Sequence, residues 1–272
     1  MKTVSILLLN QLNIGGLENA RQGFLESNNY LRMMGKSPAF NVELVGSDKE
    51  VKVDEGLYAI RAQKNIRELS KTDIIVIPPI KGDKIQEAIE QNLAFLPWIV
   101  DQYHKGAEVV SLCLGAFILG ASGLVDNKNC VTHWRAADQF RKHFPKTHLL
   151  TDKILTDEER IYTGGGAFSS ANLVLYLIEK MVDRETAVYC SKHFQIDIRL
   201  RKHHTKCLEH KSIQYHFSDL EPLWIDNSVL YDNHDQLFVR ELELKKTNGV
   251  MTYTNINTRI FFSLKRIPEA SS

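Results

Sequence analysis

The hydrophobic pattern of the first two hundred residues alternates between two periods. Val4 to Leu9 is an unbroken apolar run of the kind that forms a parallel strand buried on both faces. Gly15-Gly16 then opens a stretch of helical periodicity reaching to about Met34. Phe40–Gly46 reads as a second strand, and Tyr58-Ala59-Ile60 as a short, weaker one. Asp73 to Ile77 is a third buried strand, stopped by Pro78-Pro79, which cannot continue a ladder. Asp83 is the expected cap of a helix carrying Ile85, Ala88, Ile89, Leu93 and Leu96 on one face, and Pro97 breaks or restarts it before Trp98. The run 107–112 is a strand that ends at Cys113. Beyond it, Val131 to Trp134 leads into a helix ending near Phe144-Pro145. Leu149–Ile154 and Ile161–Thr163 read as a pair of short strands. Gly164-Gly165-Gly166 precedes a single long helix from Ala171 to about Phe194. Strands alternating with helices predict a parallel sheet covered on both faces, with ligands at the carboxyl ends of the strands.

Past residue 196 the character changes. Arg199 to Lys206 is a basic run suited to a linker, and 198–272 carry 11 Lys+Arg against 9 Asp+Glu, a mildly basic balance. This divides the chain into 1–197 and 198–272. Over the whole chain the net charge of +1, with 25% charged and 43% apolar residues, fits a packed globular protein and gives no bulk signal for nucleic acid. The apolar start is too short for a signal peptide, and nothing approaches a membrane span. The four cysteines, 113, 130, 190 and 207, lack metal or disulfide spacing. Five of the ten histidines lie beyond residue 200, also without metal spacing. A reduced, cytoplasmic protein with no metal, no cofactor and no membrane partner is expected.

Cys113 is the candidate for chemistry. A strand running through a sharp turn into a helix throws the turn residue up in a strained conformation, and a helix N-terminus beneath it should lower the thiol pKa. His133 and Glu18 are the candidate partners for a catalytic Cys113. Glu18 is equally at home in a first helical turn, where carboxylates are favourable. Cys130, Cys190, Trp134 and Phe140 read as core. The three glycines at 164–166 either cradle an anion or make a tight turn, and no phosphate-loop lysine follows.

Cys113-Leu114-Gly115-Ala116-Phe117, Ala121 to Lys128, Thr132-His133-Trp134-Arg135, Phe144-Pro145 and Tyr162 to Ser170 follow one another in an order that resembles a known group. These are AraC/XylS-type transcriptional regulators with a ThiJ/PfpI-like (class I glutamine amidotransferase-like, GlxA-type) sensor domain. The resemblance covers residues 4 to about 197. It implies a flavodoxin-like α/β domain, a non-catalytic pocket at Cys113, Leu114, Gly115, His133 and Gly165, an unknown small-molecule effector and a homodimer. The PfpI-type proteases place a histidine directly after the cysteine; here that position is Leu114. In the mainly α tail, Phe217 to Leu220, Arg240 to Leu244 and Asn257 to Ile267 resemble fragments of paired helix-turn-helix units, an eroded or truncated DNA-binding region. Asn257, Thr258 and Arg259 would face bases, while Lys265 and Arg266, with Lys245 and Lys246, would face phosphates. The competing class is a ThiJ/PfpI-like cysteine hydrolase, amidase or glyoxalase, and a third reading is a ligand-binding protein without DNA activity.

Overall fold

The computed structural model of the chain describes residues 1–196, 214–216, 245–247 and 250–252. In chain order the first unit contains β1 (Lys2–Leu8), α1 (Ile14–Met33), β2 (Phe40–Gly46), β3 (Glu50–Val53), β4 (Tyr58–Arg61), β5 (Lys64–Asn65) and β6 (Ile74–Ile77). It continues with α2 (Ile85–Gln91), α3 (Phe95–His104), β7 (Glu108–Leu112), α4 (Ala116–Ala121), β8 (Asn129–Cys130) and α5 (Ala137–His143). It closes with β9 (His148–Leu149), β10 (Leu155–Glu158), β11 (Ile161–Gly164), α6 (Ala167–Met181) and α7 (Arg184–His193).

Seven strands form one sheet in the order β10-β11-β7-β6-β1-β2-β5. Every pairing in it is parallel except β10 with β11. The chain winds outward from β1 to β2 and then returns to β6 on the other side. The switch point of this doubly wound, flavodoxin-like sheet therefore lies between β1 and β6, with Cys113 one strand further on. Both faces are buried. Val4, Ile6 and Leu8 on β1, Ile74 and Val76 on β6, and Val110 and Leu112 on β7 pack toward α1, α6 and α7. The alternate residues Leu7, Ile75, Ile77 and Val109 pack toward the side chains of α2 to α5, among them Phe95, Ile99, Phe117 and Phe140. That double coverage is why these strands read as continuous apolar runs.

Four boundaries differ from the sequence expectation. The strand expected at 149–154 is displaced: only His148–Leu149 pair before it, and the strand beside β11 is Leu155–Glu158. Asp83 does not cap α2: its N-cap is Lys84, without a side-chain hydrogen bond. The break between α2 and α3 falls before Pro97, which sits in the first turn of α3, where its missing N–H leaves no helical bond unmade. The break is filled by buried Asn92, whose amide bonds the main chain of Asn10 and Ala88. The expected long helix to Phe194 is two helices, because Asp183 is an N-cap that accepts from the Thr186 N–H at 2.7 Å and restarts the chain as α7. The weak strand at 58–60 is half of an antiparallel hairpin, β3–β4, whose first half the sequence did not single out.

A second unit, Leu208–Ser272, is described only at β12 (Gln214–His216), β13 (Lys245–Thr247) and β14 (Val250–Thr252), antiparallel in the order β12-β14-β13. The expected tail helices, and with them Asn257, Thr258, Arg259, Lys265 and Arg266, lie outside the described residues. No described helix is long and apolar enough to cross a membrane.

Phe117 is fully buried in α4 and meets Phe140 edge-on at 5.1 Å between ring centroids. Phe117→Ala removes a large side chain from a site that cannot collapse. Denaturant unfolding is expected to show a loss of about 3–5 kcal/mol; a loss below about 1 kcal/mol would mean that α4 is not anchored by this ring.

Candidate functional site

The site is built at the carboxyl edge of the sheet, where β7 runs into α4. Cys113 lies at the turn with φ +54°, a left-handed conformation that a non-glycine residue adopts only where its surroundings enforce it. What enforces it is close packing on the end of β6. A Cβ on Gly115 would stand 2.6 Å from the Ile77 carbonyl oxygen and 2.7 Å from that of Pro78, so only glycine lets the turn approach so near. From the other side, the buried Thr132 hydroxyl donates to the Cys113 carbonyl at 3.1 Å. Gly165 completes the surround: a Cβ there would meet Val131 Cγ1 at 2.7 Å and the Thr132 carbonyl at 3.1 Å. Gly165 thus packs on Val131 and Thr132, and Thr132 in turn holds the Cys113 carbonyl. Thr132 is a member that sequence reasoning passed over, although the Thr-His-Trp motif contains it.

The electrostatics run against the sequence expectation. The thiol is only 7% exposed. Burial pushes its pKa up to about 11, and a bond from the Leu114 N–H offsets only part of that rise. The expected fall in pKa is therefore corrected: desolvation outweighs the helix terminus. At neutral pH the sulfur is a neutral thiol, not a nucleophilic thiolate. Cys130 and Cys190 are fully buried in the core, with burial again the first cause holding each near 12.

Neither candidate partner is engaged with the thiol. Glu18 lies beyond the first turn of α1 and accepts a two-pronged contact from Arg21 at 2.7 and 2.6 Å, and another from Gln22 at 2.6 Å. The Arg21 guanidinium holds its carboxyl below the usual range. His133 caps the turn that precedes α5, its Nδ1 accepting from the Arg135 N–H at 3.3 Å, and its ring stacks on Trp134 at 5.8 Å. Burial first, and Arg135 second, lower its pKa, so the ring is neutral near pH 7. Among the described residues no hydrogen bond joins His133 or Glu18 to Cys113. Leu114, where a protease-type histidine would stand, is half-buried, and its Cδ1 would be 3.2 Å from a Cβ on Gly82. The Gly165 N–H is spent on the Ile154 carbonyl at 3.1 Å, which favours the tight-turn reading of 164–166 over an anion cradle. Among the described residues no group of histidine, cysteine or carboxylate side chains could hold a metal ion.

A doubly wound sheet with a cysteine elbow after its fourth core strand defines a class of α/β domain. The chain belongs to the DJ-1/PfpI family, which residues 28–180 match. It is similar to the HTH-type transcriptional regulator CdhR of Pseudomonas aeruginosa, with 25% identity over 149 residues, 54% of this chain and 43% of the regulator. It is equally similar to the isonitrile hydratase of Pseudomonas putida, with 26% identity over 157 residues, 57% of this chain and 65% of the hydratase. The chain therefore spans less than half of that regulator and just under two thirds of that enzyme. The fold matches the crystal structure of an AraC family transcriptional regulator from Pseudomonas putida with a TM-score of 0.54 at 19% identity, over 71% of this chain and all of that one.

Two outcomes follow from the geometry. Gly115→Ala forces a Cβ into two main-chain carbonyls and is expected to cost roughly 1–3 kcal/mol in denaturant unfolding; an unchanged midpoint would show that the turn can back away from β6. Site-resolved mass spectrometry of carbamidomethylation should show Cys113 reacting slowly at neutral pH, its rate still climbing about tenfold per pH unit between roughly pH 8 and 10. A plateau at or below about pH 8 would mean a depressed thiol pKa.

Proposed function

We propose that the chain is a DNA-binding transcriptional regulator of AraC type, with a ligand-sensing DJ-1/PfpI domain at 1–197 that performs no catalysis and a DNA-reading region at 198–272. The observation that carries this reading is the state of the elbow: Cys113 is buried and neutral, with Leu114 beside it and no base bonded to the thiol among the described residues. A cysteine enzyme needs an activated thiolate and an oriented base within hydrogen-bond reach. The similarity of the domain to an HTH-type regulator supports the same conclusion. In this reading an effector sits among Cys113, Leu114, Gly115, His133 and Gly165, and its binding alters the geometry of a cytoplasmic homodimer. Asn257, Thr258 and Arg259 then face base edges, while Lys265 and Arg266 hold phosphates.

The second reading is an enzyme, favoured by the similarity to isonitrile hydratase and by the left-handed cysteine elbow. Thiol activation would then have to come from substrate or from a rearranged His133.

A gel-shift titration of the full chain on its own upstream DNA, with a random fragment and a 1–197 truncation as controls, separates the two. The regulator reading expects a sequence-preferring shift that needs the tail and weakens by at least about tenfold between roughly 50 and 200 mM salt. An equal shift from the truncation would overturn the assignment of the tail. Hydration of an isonitrile that vanishes in Cys113→Ala would overturn the non-catalytic sensor.

A further inference from the structure

The crevice at the switch point of a doubly wound sheet is where ligands are ordinarily received. Here the two loops that flank it are tied together. The Asn13 N–H donates to the Pro79 carbonyl and the Lys81 N–H to the Gln11 carbonyl, both at 2.8 Å, around a bridge between Leu12 and Ile80. Beside that tie lies an open groove of about 340 Å³ between the β3–β4 hairpin and the loop after β6. That volume is at the lower end of small-molecule sites.

Three ammonium groups line the groove: Lys52 from β3, Lys81 from the loop and Lys84 at the head of α2. Lys81 Nζ rests on Asp54 Oδ1 at 2.9 Å, and Lys84 Nζ is 3.9 Å from Glu87. Lys52 is in no ion pair among the described residues. Asp54 and Glu55 are consecutive left-handed residues, with φ +51° and +57°, at the hairpin tip. The carboxylate that neutralises Lys81 is thus half exposed and carried on strained backbone, a weak hold in which water already competes. Glu55 and Asp83 also act on Lys81 and help to keep it protonated. Acceptors next to ammonium groups suit a molecule with hydroxyl donors beside an anionic group better than a bare anion.

We propose that this groove binds a small hydroxylated carboxylate or phosphate ester, its anionic group taking the place of the Asp54 carboxylate on Lys81, between Lys52 and Lys84. The groove is separate from the residues around Cys113, yet both lean on one loop. Gly82, next to Lys81, is the neighbour of Leu114, and the Pro78 carbonyl roofs Gly115.

The test is isothermal titration of the full chain with gluconate, glucose 6-phosphate and inorganic phosphate at constant ionic strength. Gluconate or glucose 6-phosphate should bind, and whichever binds more tightly identifies the anionic group. Lys81→Gln should weaken binding about tenfold, and Lys52→Gln, which leaves the Lys81–Asp54 pair intact, by severalfold. Asp54→Asn, which removes the internal competitor, should tighten it severalfold. No binding of either compound overturns the proposal. So does equal affinity in Lys52→Gln and Lys81→Gln, or no gain in Asp54→Asn. Inorganic phosphate binding as tightly as the ester overturns the hydroxylated class. None of these readouts involves DNA or Cys113, so failure here leaves the regulator reading untouched, and failure of the regulator reading leaves the groove.

Discussion

The approach of the β7–α4 turn to the end of β6 is the constraint on which the site depends. Main-chain carbonyls of Ile77 and Pro78 stand where a Cβ on residue 115 would be, so the turn can close only over a glycine. Once it closes, Cys113 has no room for an ordinary φ, and its carbonyl is presented to the Thr132 hydroxyl. The prolines that end β6 complete the same edge from α1: a Cβ on Gly16 would lie 2.4 Å from Pro79 Cγ. Glycines at 16 and 115 thus let α1 and the elbow crowd onto one pair of prolines. The cost of a strained cysteine is met by packing that leaves no alternative.

The same closeness decides the chemistry. A helix N-terminus offers about half a unit of positive charge to a nearby sulfur, worth roughly 0.3–1 kcal/mol at exposed sites. The helix here is the six-residue α4, preceded by a short 3-10 turn at Cys113–Gly115. Against it stands the removal of the thiolate from water, and among the described residues no cationic side chain offsets it: the two arginines near the candidate partners are spent on Glu18 and stacked over Trp134. Burial sets the rise to about 11, and the Leu114 N–H offsets only part of it. The elbow therefore keeps its left-handed geometry around a buried, neutral thiol.

The middle of the sheet was legible in the sequence because strands buried on both faces leave apolar runs, as at Ile74–Ile77, and Phe40–Gly46 was legible from alternate apolar positions; the two edge strands were not, since β5 has two residues and β10 lies at Leu155–Glu158, just past the expected 149–154. The elbow was legible for a different reason, the change of period at Cys113 with a glycine two residues on. What escaped depends on partners distant in sequence or on single polar atoms. The β3–β4 hairpin is only four residues a side and half solvated. Asp183 interrupts an otherwise continuous helical pattern with one cap bond, and Asn92 does the same between α2 and α3 from a position that reads as an ordinary polar residue. The sign of the thiol shift was misread because exposure is a tertiary quantity: the sequence places a helix after Cys113 but does not say how completely Thr132, Gly165 and the β6 loop close over it.

The loop from Pro78 to Lys84 meets both the elbow and the hairpin tip. Its start roofs the elbow, Lys81 in its middle pairs with Asp54 at the hairpin tip, and Gly82 next to it neighbours Leu114. The carbonyls of Ile77 and Pro78 and the ring of Pro79 stand where a side chain at 115 or 16 would go, so the packing at this edge admits only glycine at both positions. Leu114 stands where a protease-type histidine would, and its apolar side chain lies beside Gly82, next to the lysine that pairs with Asp54 at the hairpin tip.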